Sequence, residues 1–424
     1  MPIAGIAVGQ VSQDRRTFAV GIDPVTGREI WRQEASPSQV TPGVEVAPVA
    51  IGDKVAYFRP NSEHGQLARL VIADPRTGND LQVSGPQLFL SSPEPCSGNV
   101  DVCVLSHEKT DDEVKPHKFS PATGKYVAVT SKMPQDARTI GTAGLLGFDG
   151  RNPEEIGLLR DGRIRWTTKL GDAFPEGFST DWGWSWLLYG KEKVYAGSVY
   201  GKPAEPYDQR RTEDLSTNRA MAAVSEDDGS VLWRDTGSVI GCNGIYGTDE
   251  DKTYFPVRCR YRGSETIDPD QKATFTFAGL EVTMEGFEVQ TGRTTWSVPL
   301  GAAENLETFA KPFPVTGTNE IVVTPGNDIP LVIDADSGKS RTAAADATFW
   351  CLSSYKYDYI EPFTNRLGDT IHLRIGGNQA TTCSATGNPA TGTPSAAATS
   401  AVGAHIGPYV VMATDTGFTG YSVN

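Results

Sequence analysis

The chain has no run of about twenty apolar residues, so no membrane-crossing helix is expected. No stretch of about ten residues keeps a clean helical period, and helix should be scarce. Cys-x-x-Cys is absent, which removes thioredoxin-type redox chemistry and the common zinc frameworks. The five histidines, His64, His107, His117, His372 and His405, stand without ligand spacing, and neither a Gly-x-Ser-x-Gly elbow nor a phosphate-binding glycine loop occurs. His107 and His117 flank a charged stretch, Glu108 to Lys115, and are expected at the surface. Basic residues are few: 38 Lys and Arg face 52 Asp and Glu, for a net charge of −14, and no basic cluster exceeds Gln209-Arg210-Arg211. That balance repels phosphate backbones and anionic membrane surfaces, so neither nucleic acid nor lipid is an expected partner. The acidic groups Asp227-Asp228, Asp249-Glu250-Asp251 and Asp268-Pro269-Asp270 read as solvated turns, and no calcium loop is formed.

Glycine and proline are plentiful, at 45 and 28 residues, and the apolar runs are short, as half-buried strands require. A repeat organises them. Four times a tryptophan stands four residues after a glycine: Gly27 and Trp31, Gly162 and Trp166, Gly229 and Trp233, Gly292 and Trp296. The fullest copy is Ile22-Asp23-Pro24-Val25-Thr26-Gly27-Arg28-Glu29-Ile30-Trp31. Weaker copies keep the turn at Gly78, Gly124 and Gly338 but place Gln82, Ala128 and Thr342 where the indole would be. Neighbouring turn glycines are 38 to 67 residues apart, the size of a four-stranded propeller blade with variable loops. The glycine supplies a positive φ, an Asp or Ser shortly before it bonds the turning backbone, and the tryptophan is expected to pack between adjacent blades.

The run apolar-Asp-x-x-Thr-Gly-x-x-x-Trp resembles the quinoprotein-like β-propellers, over nearly the whole chain from Ile3 to about Thr342. The resemblance is to their non-catalytic branch, the outer-membrane assembly scaffold and its Gram-positive relatives. It implies an all-β fold: one propeller domain over residues 1–424, of eight four-stranded antiparallel blades, with seven as the alternative if residues 350–424 form one decorated closing blade. The first strands, near Ile3 to Val8 and Thr17 to Ile22, leave blade one without an innermost strand. The C-terminal runs Tyr409 to Ala413 and Gly420 to Val423 are expected to supply it and close the ring. The catalytic relatives hold pyrroloquinoline quinone over calcium beneath a disulfide between adjacent cysteines. No Cys-Cys dipeptide occurs here, so no cofactor is expected.

The six cysteines fall as sequence neighbours, Cys96 with Cys103, Cys242 with Cys259, and Cys351 with Cys383. Three local disulfides are expected, the alternative being six buried thiols. Disulfides imply an oxidising compartment. Met1-Pro2-Ile3-Ala4-Gly5 enters a strand at once, without the basic and apolar regions of a leader. The expectation is therefore an exported domain of a cell-envelope protein, monomeric, anchored by a segment outside this chain.

Two departures from the repeat are candidate functional elements. Residues 385–401 are low in complexity and read as a mobile surface loop. In Asp181-Trp182-Gly183-Trp184-Ser185-Trp186, an extended strand puts Trp182, Trp184 and Trp186 on one face. Facing outward they form a platform for a sugar ring, a quinone or an aromatic side chain; facing inward they are packing between blades. A non-enzymatic binding or scaffolding domain, docking a protein or envelope glycan on one rim, is the expected function. A divergent quinoprotein-type oxidoreductase and a sensor ectodomain are the alternatives.

Overall fold

The computed structural model describes residues 1–13, 16–35, 47–61, 67–89, 91–96, 100–107, 115–128, 138–139, 145–148, 155–160, 163–201, 210–243, 255–268, 274–303, 313–325, 329–358, 363–364, 370–371, 374–414 and 417–422. Nearly all of the regular structure is antiparallel sheet, built as up-and-down meanders in chain order. The first sheet comprises Pro2–Ile3, Ile6–Gln13, Arg16–Ile22 and Glu29–Ala35; the second, Val49–Ile51, Lys54–Pro60, Ala68–Ala73 and Asp80–Val83. The third runs through Glu94–Pro95, Val102–His107, Lys115–Ser120 and Lys125–Ala128, and the fourth through Arg138–Thr139, Leu145–Phe148, Glu155–Arg160 and Arg163–Lys169. Phe178–Tyr189, Val194–Gly201, Arg219–Ser225 and Val231–Thr236 make the fifth. Ser238–Ile240, Val257–Asp268, Thr274–Phe287 and Thr294–Ala302 make the sixth. The seventh has three strands, Glu320–Val323, Leu331–Asp334 and Ser340–Thr342, and so has the last, Ala404–Ile406, Tyr409–Thr414 and Gly417–Ser422. Between these two lies a sheet of Phe313–Val315, Phe349–Asp358 and Arg374–Cys383.

The repeat's turn is the same object each time. Gly27, Gly78, Gly229, Gly292 and Gly338 have φ between 67° and 73°, where glycine carries no Cβ penalty. Each donates its N–H to the carbonyl four residues back, at 2.8 or 2.9 Å. The side chain at that earlier position caps the turn. Asp23 accepts from Val25 N and Thr26 Oγ1, Ser225 Oγ accepts from Asp227 N, and Asp334 accepts from Ser337 N. Hydrogen bonds from the turn hold the Asp23 and Asp334 carboxyls below the usual range. Asp227 and Asp228 belong to one of these turns.

Four of these turns, those of Gly78, Gly229, Gly292 and Gly338, are also sockets for the preceding sheet's tryptophan. Trp31 donates its indole N–H to Pro75 O at 2.7 Å, Trp166 to Glu226 O at 2.7 Å, Trp233 to Val289 O at 2.7 Å and Trp296 to Ala335 O at 2.8 Å. Every acceptor lies one residue after a turn's capping residue, and the ring lies against the glycine three residues further on, Gly78, Gly229, Gly292 or Gly338. An indole that fills a glycine's empty side and bonds its turn fixes one sheet against the next. Gln82 occupies the same place over Gly124. Gly162 lies outside the described residues.

A β-bulge aims the tryptophan. In the first, second, fifth and sixth sheets the outer hairpin shifts register at Gly21/Ile22, Ile72/Ala73, Ala223/Val224 and Gly286/Phe287. One extra residue is thereby absorbed and the side chain four after the glycine faces the next sheet. Where that side chain is an indole, its cross-strand partner is Gly21, Ala223 or Gly286; where it is Gln82, the partner is Ile72. Bulk is thus traded between two strands at constant volume. The third and seventh sheets pair without the shift, and there the position holds Ala128 and Thr342.

Apolar clusters join sheets in order: first to second through Val8, Trp31, Tyr57 and Val71; second to third through Phe58, Ile72, Phe89 and Phe119; fourth to fifth, fifth to sixth and sixth to seventh likewise. The last sheet packs on the first, with Ile406, Val411 and Phe418 against Ala7, Val20 and Ile22, and Phe418 covering Gly9.

Two expectations about the chain ends need correction. The first sheet has its own innermost strand, Pro2–Ile3, formed because Ala4 and Gly5 take positive φ and fold Met1 back onto Val8. The C-terminal strands do not replace it but pair with one another and meet the first sheet face to face. Residues 385–401 are not a coreless loop: Ala396–Val402 is a helix with Ala398, Thr399 and Ala401 buried. Its alanines favour helix, Ser395 Oγ caps Ala398 N, and Thr399 Oγ1 accepts the Trp350 indole N–H at 2.9 Å. Ser395→Ala should therefore lower stability by about 1 kcal/mol in urea unfolding; no change would mean that packing alone holds the helix.

Candidate functional site

The repeat is broken most extensively at the ends of the fifth and sixth sheets opposite the turn glycines. In the sixth sheet the pair Val257–Asp268 and Thr274–Phe287 runs far past its neighbours. Thr294–Ala302 pairs only with Glu281 to Phe287, so Ser264 to Ala278 continue as an arm. The arm takes a third strand, Arg211–Asp214, from the connection within the fifth sheet, with Arg211 opposite Ile267 and Asp214 opposite Ser264. At its base the chains pass so closely that a Cβ on Gly263 would lie 2.4 Å from Gly279 O, and both residues have positive φ. Only glycine allows that crossing.

One face of the arm lies over a buried arginine. Arg219, 2% exposed, stacks between Tyr200 and Tyr261 at 5.0 and 5.5 Å, and its Nη2 is 3.5 Å from Glu265 Oε2. It donates to Asn218 Oδ1, whose amide donates to Glu213, which also accepts from Arg211 Nε at 3.0 Å. Burial pushes the Glu265 carboxyl above its usual value, against the pull of Arg219, and pushes the Tyr261 phenol up as well. On the other face Thr212 and Thr276 are exposed, and Thr212 Oγ1 meets Thr266 Oγ1 at 2.8 Å.

A second lattice ties the fifth sheet to the sixth. Arg258 Nε and Arg260 Nε donate to the two oxygens of Glu285 at 2.9 and 3.0 Å, and both guanidiniums reach Asp235 Oδ2, at 3.1 and 2.9 Å. Burial alone would raise the Glu285 pKa, but the hydrogen bonds from Arg260 and Arg258 outweigh it and hold the carboxyl low. These charges neutralise one another, which is the chemistry of positioning rather than of proton transfer.

The sequence candidates fall into three groups. Trp31, Trp166, Trp233 and Trp296 are the inter-sheet indoles described above. The six cysteines form Cys96–Cys103, Cys242–Cys259 and Cys351–Cys383, all local and each closing within its own sheet region. Cysteines consumed this way leave no disulfide between adjacent residues, so they do not fit a quinone-binding arrangement built on one. In the third group, Trp186 is buried beneath Phe174, edge to face at 5.9 Å, with its ring on Gly197. It belongs to the core and not to an exposed platform, because Trp186 pairs with Gly197, whose missing side chain leaves room for the indole. The side chains of Trp182 and Trp184 lie outside the described residues. Their strand, Phe178–Tyr189, shifts register between Ser179 and Trp184, so Trp182 falls in an irregular stretch and the strict period of two is lost. That stretch is at the same end as the arm, beside Tyr200.

His117, expected at the surface, is buried: Nδ1 is 2.9 Å from Ser106 Oγ, and the ring stacks on Tyr126 at 4.7 Å. It faces the second sheet because its register partner set is Val104 and Ala128, on the core side of the third sheet. His64 and His372, the 249–251 acidic group and most of the 108–115 stretch lie outside the described residues.

No family model and no curated protein matches the sequence. Among solved structures, BamB from Moraxella catarrhalis is 10% identical with a TM-score of 0.35, covering 81% of this chain and 92% of that one. The quinohemoprotein alcohol dehydrogenase from Comamonas testosteroni is 12% identical with a TM-score of 0.36, covering 82% and 70%. A putative 6-phosphogluconolactonase from Bacteroides fragilis is 9% identical with a TM-score of 0.35, covering 88% and 98%. Likeness this distant, spread over proteins of different kinds, decides nothing about what the chain does.

Proposed function

We propose that this chain is a non-enzymatic binding domain of an exported envelope protein, a single closed ring of eight blades that docks a protein or glycan on the rim carrying the arm. The observation that supports this reading is the concentration of departures from the repeat at one end of two adjacent sheets: the arm, its added strand and the irregular tryptophan strand. Loops and edges at one rim of a repetitive scaffold are where such folds carry recognition. The contact of the last sheet with the first supports closure of the ring. The three disulfides support export. An anchor outside this chain and a monomeric state belong to the same proposal.

The test places arginine on the exposed threonine face of the arm, as Thr212→Arg with Thr276→Arg. Co-sedimentation with envelope polysaccharide and crosslinking to envelope proteins are then compared with the unaltered chain. Binding should fall about tenfold with thermal stability unchanged, as for loss of central contacts in an interface. Unaltered binding would move the site off the arm. Retention of pyrroloquinoline quinone and calcium after desalting, with dye-linked turnover of alcohols or sugars, would replace the reading with an oxidoreductase.

A further inference from the structure

We infer that Arg219 is a receptor for a carboxylate on an extended acidic peptide, and that the arm's own Glu265 holds the place when no peptide is bound. The inference rests on the reading of this rim as the binding rim. The guanidinium is fixed before any ligand arrives: the rings of Tyr200 and Tyr261 stack on it, and Nη1 donates to Asn218 Oδ1 at 2.7 Å. Its Nε and Nη2 form the edge with which an arginine grips both oxygens of a carboxylate. Here that edge is underused. Glu265 Oε2 stands 3.5 Å from Nη2, longer than a formed N–H···O bond, and the buried Nε has no hydrogen-bond partner. The Tyr261 hydroxyl, buried beside the same guanidinium, has none either. Buried groups of this kind are nearly always paired in folded proteins, so the two together point to a ligand.

The carboxylate now in place is poorly provided for. Glu265 stands directly opposite Glu213 across the arm, a like-charge pair, and it is Glu213 that receives Arg211 and Asn218. The arm can carry Glu265 away as a unit, because Gly263 and Gly279 lie side by side at its base, both at positive φ, and hinges form at such small residues. With Glu265 withdrawn, Arg258 and Arg260 remain balanced by Asp235 and Glu285, and Arg219 alone is uncompensated. An unpaired buried guanidinium is strongly unfavourable, so the arm leaves only as another carboxylate enters. A side chain presented as Glu265 is, from an extended strand, fits that exchange. Tyr200 and Tyr261 turn their rings to the guanidinium instead of leaving them to a sugar, which favours a peptide over an acidic glycan.

The probe is a labelled, end-capped hexapeptide of alternating threonine and glutamate, with its glutamine counterpart and polygalacturonate as controls, and binding to the whole chain is read by fluorescence anisotropy. Glu265→Gln should tighten peptide binding about tenfold, since the receptor no longer shares its population with the closed arm. Glu265→Gln combined with Arg219→Gln leaves no unpaired charge, and should abolish binding with the circular dichroism spectrum unchanged. In the unaltered chain, saturating peptide should speed hydrogen exchange at residues 264–268 and leave Arg219–Ser225 as before. Equal affinity before and after Glu265→Gln, binding that survives the double variant, or uptake of polygalacturonate in place of the peptide would overturn the inference. If Thr212→Arg with Thr276→Arg releases envelope proteins while the double variant keeps them, the rim reading stands and this one falls.

Discussion

Trp233→Ala should lower the stability of the chain by about 3 to 5 kcal/mol, the range for removing a buried tryptophan. Three losses combine. The ring leaves the cluster shared by the fifth and sixth sheets, where it meets Phe287 edge to face at 5.6 Å. Val289 O loses its 2.7 Å donor. Gly292, whose turn exists to receive the ring, is left against a cavity. Equilibrium urea unfolding followed by far-ultraviolet circular dichroism measures the change. A loss under about 1 kcal/mol, the scale of an ordinary surface change, would mean that the strands hold the joint without the indole. Trp233→Phe separates the contributions, since it keeps most of the apolar contact and removes the N–H.

Glu285→Gln should cost about 3 kcal/mol at neutral pH, as expected when one member of a buried ion pair is removed. Arg258, with a side chain 3% exposed, would keep its charge and lose its carboxylate acceptor at 2.9 Å, while Arg260 would lose one of its two carboxylate partners. The effect has a defined pH dependence. The Glu285 carboxyl is held below its unfolded value, so its stabilisation is complete above the ordinary glutamate range near pH 4. It is lost as the pH falls through the lower, folded value. The gap between the original chain and the glutamine variant should therefore be constant from pH 7 to about 5 and close below about 4. A gap that persists undiminished at pH 3 would assign the loss to packing instead of charge.

Much of this fold is legible in the sequence because its parts are local. The glycine turn is specified by four or five consecutive residues, and Asp23 to Gly27 state it completely. Each disulfide joins cysteines that are neighbours among the six in sequence, 7, 17 and 32 residues apart, so neighbour pairing suffices. What escaped depends on register and on distant partners. Nothing in the composition of Lys125-Tyr126-Val127-Ala128 announces that this strand pairs without a bulge and turns its face. The helix at 396–402 was hidden because small residues suit a loop as well as a helix, and its burial comes from partners distant in sequence, Trp350 among them. For the arm a signal was present. The two longest intervals between turn glycines, those ending at Gly229 and Gly292, contain the added strand and the extended hairpin, and Gly263 and Gly279 bracket the excess.

The bulge in the outer hairpins makes strand length, not residue type, the carrier of direction. A tryptophan in a bulged sheet faces forward only because Ile30, Leu232 or Thr295 is swallowed by the shift. Deleting that one residue would remove the bulge and leave the indole opposite the same small residue, in the register by which Val127 stands opposite Lys118 in the unbulged third sheet. Chains built on this repeat can therefore pair a tryptophan four residues after the turn glycine with a bulge, or one three residues after it with a straight hairpin, but cannot change the spacing and the bulge independently.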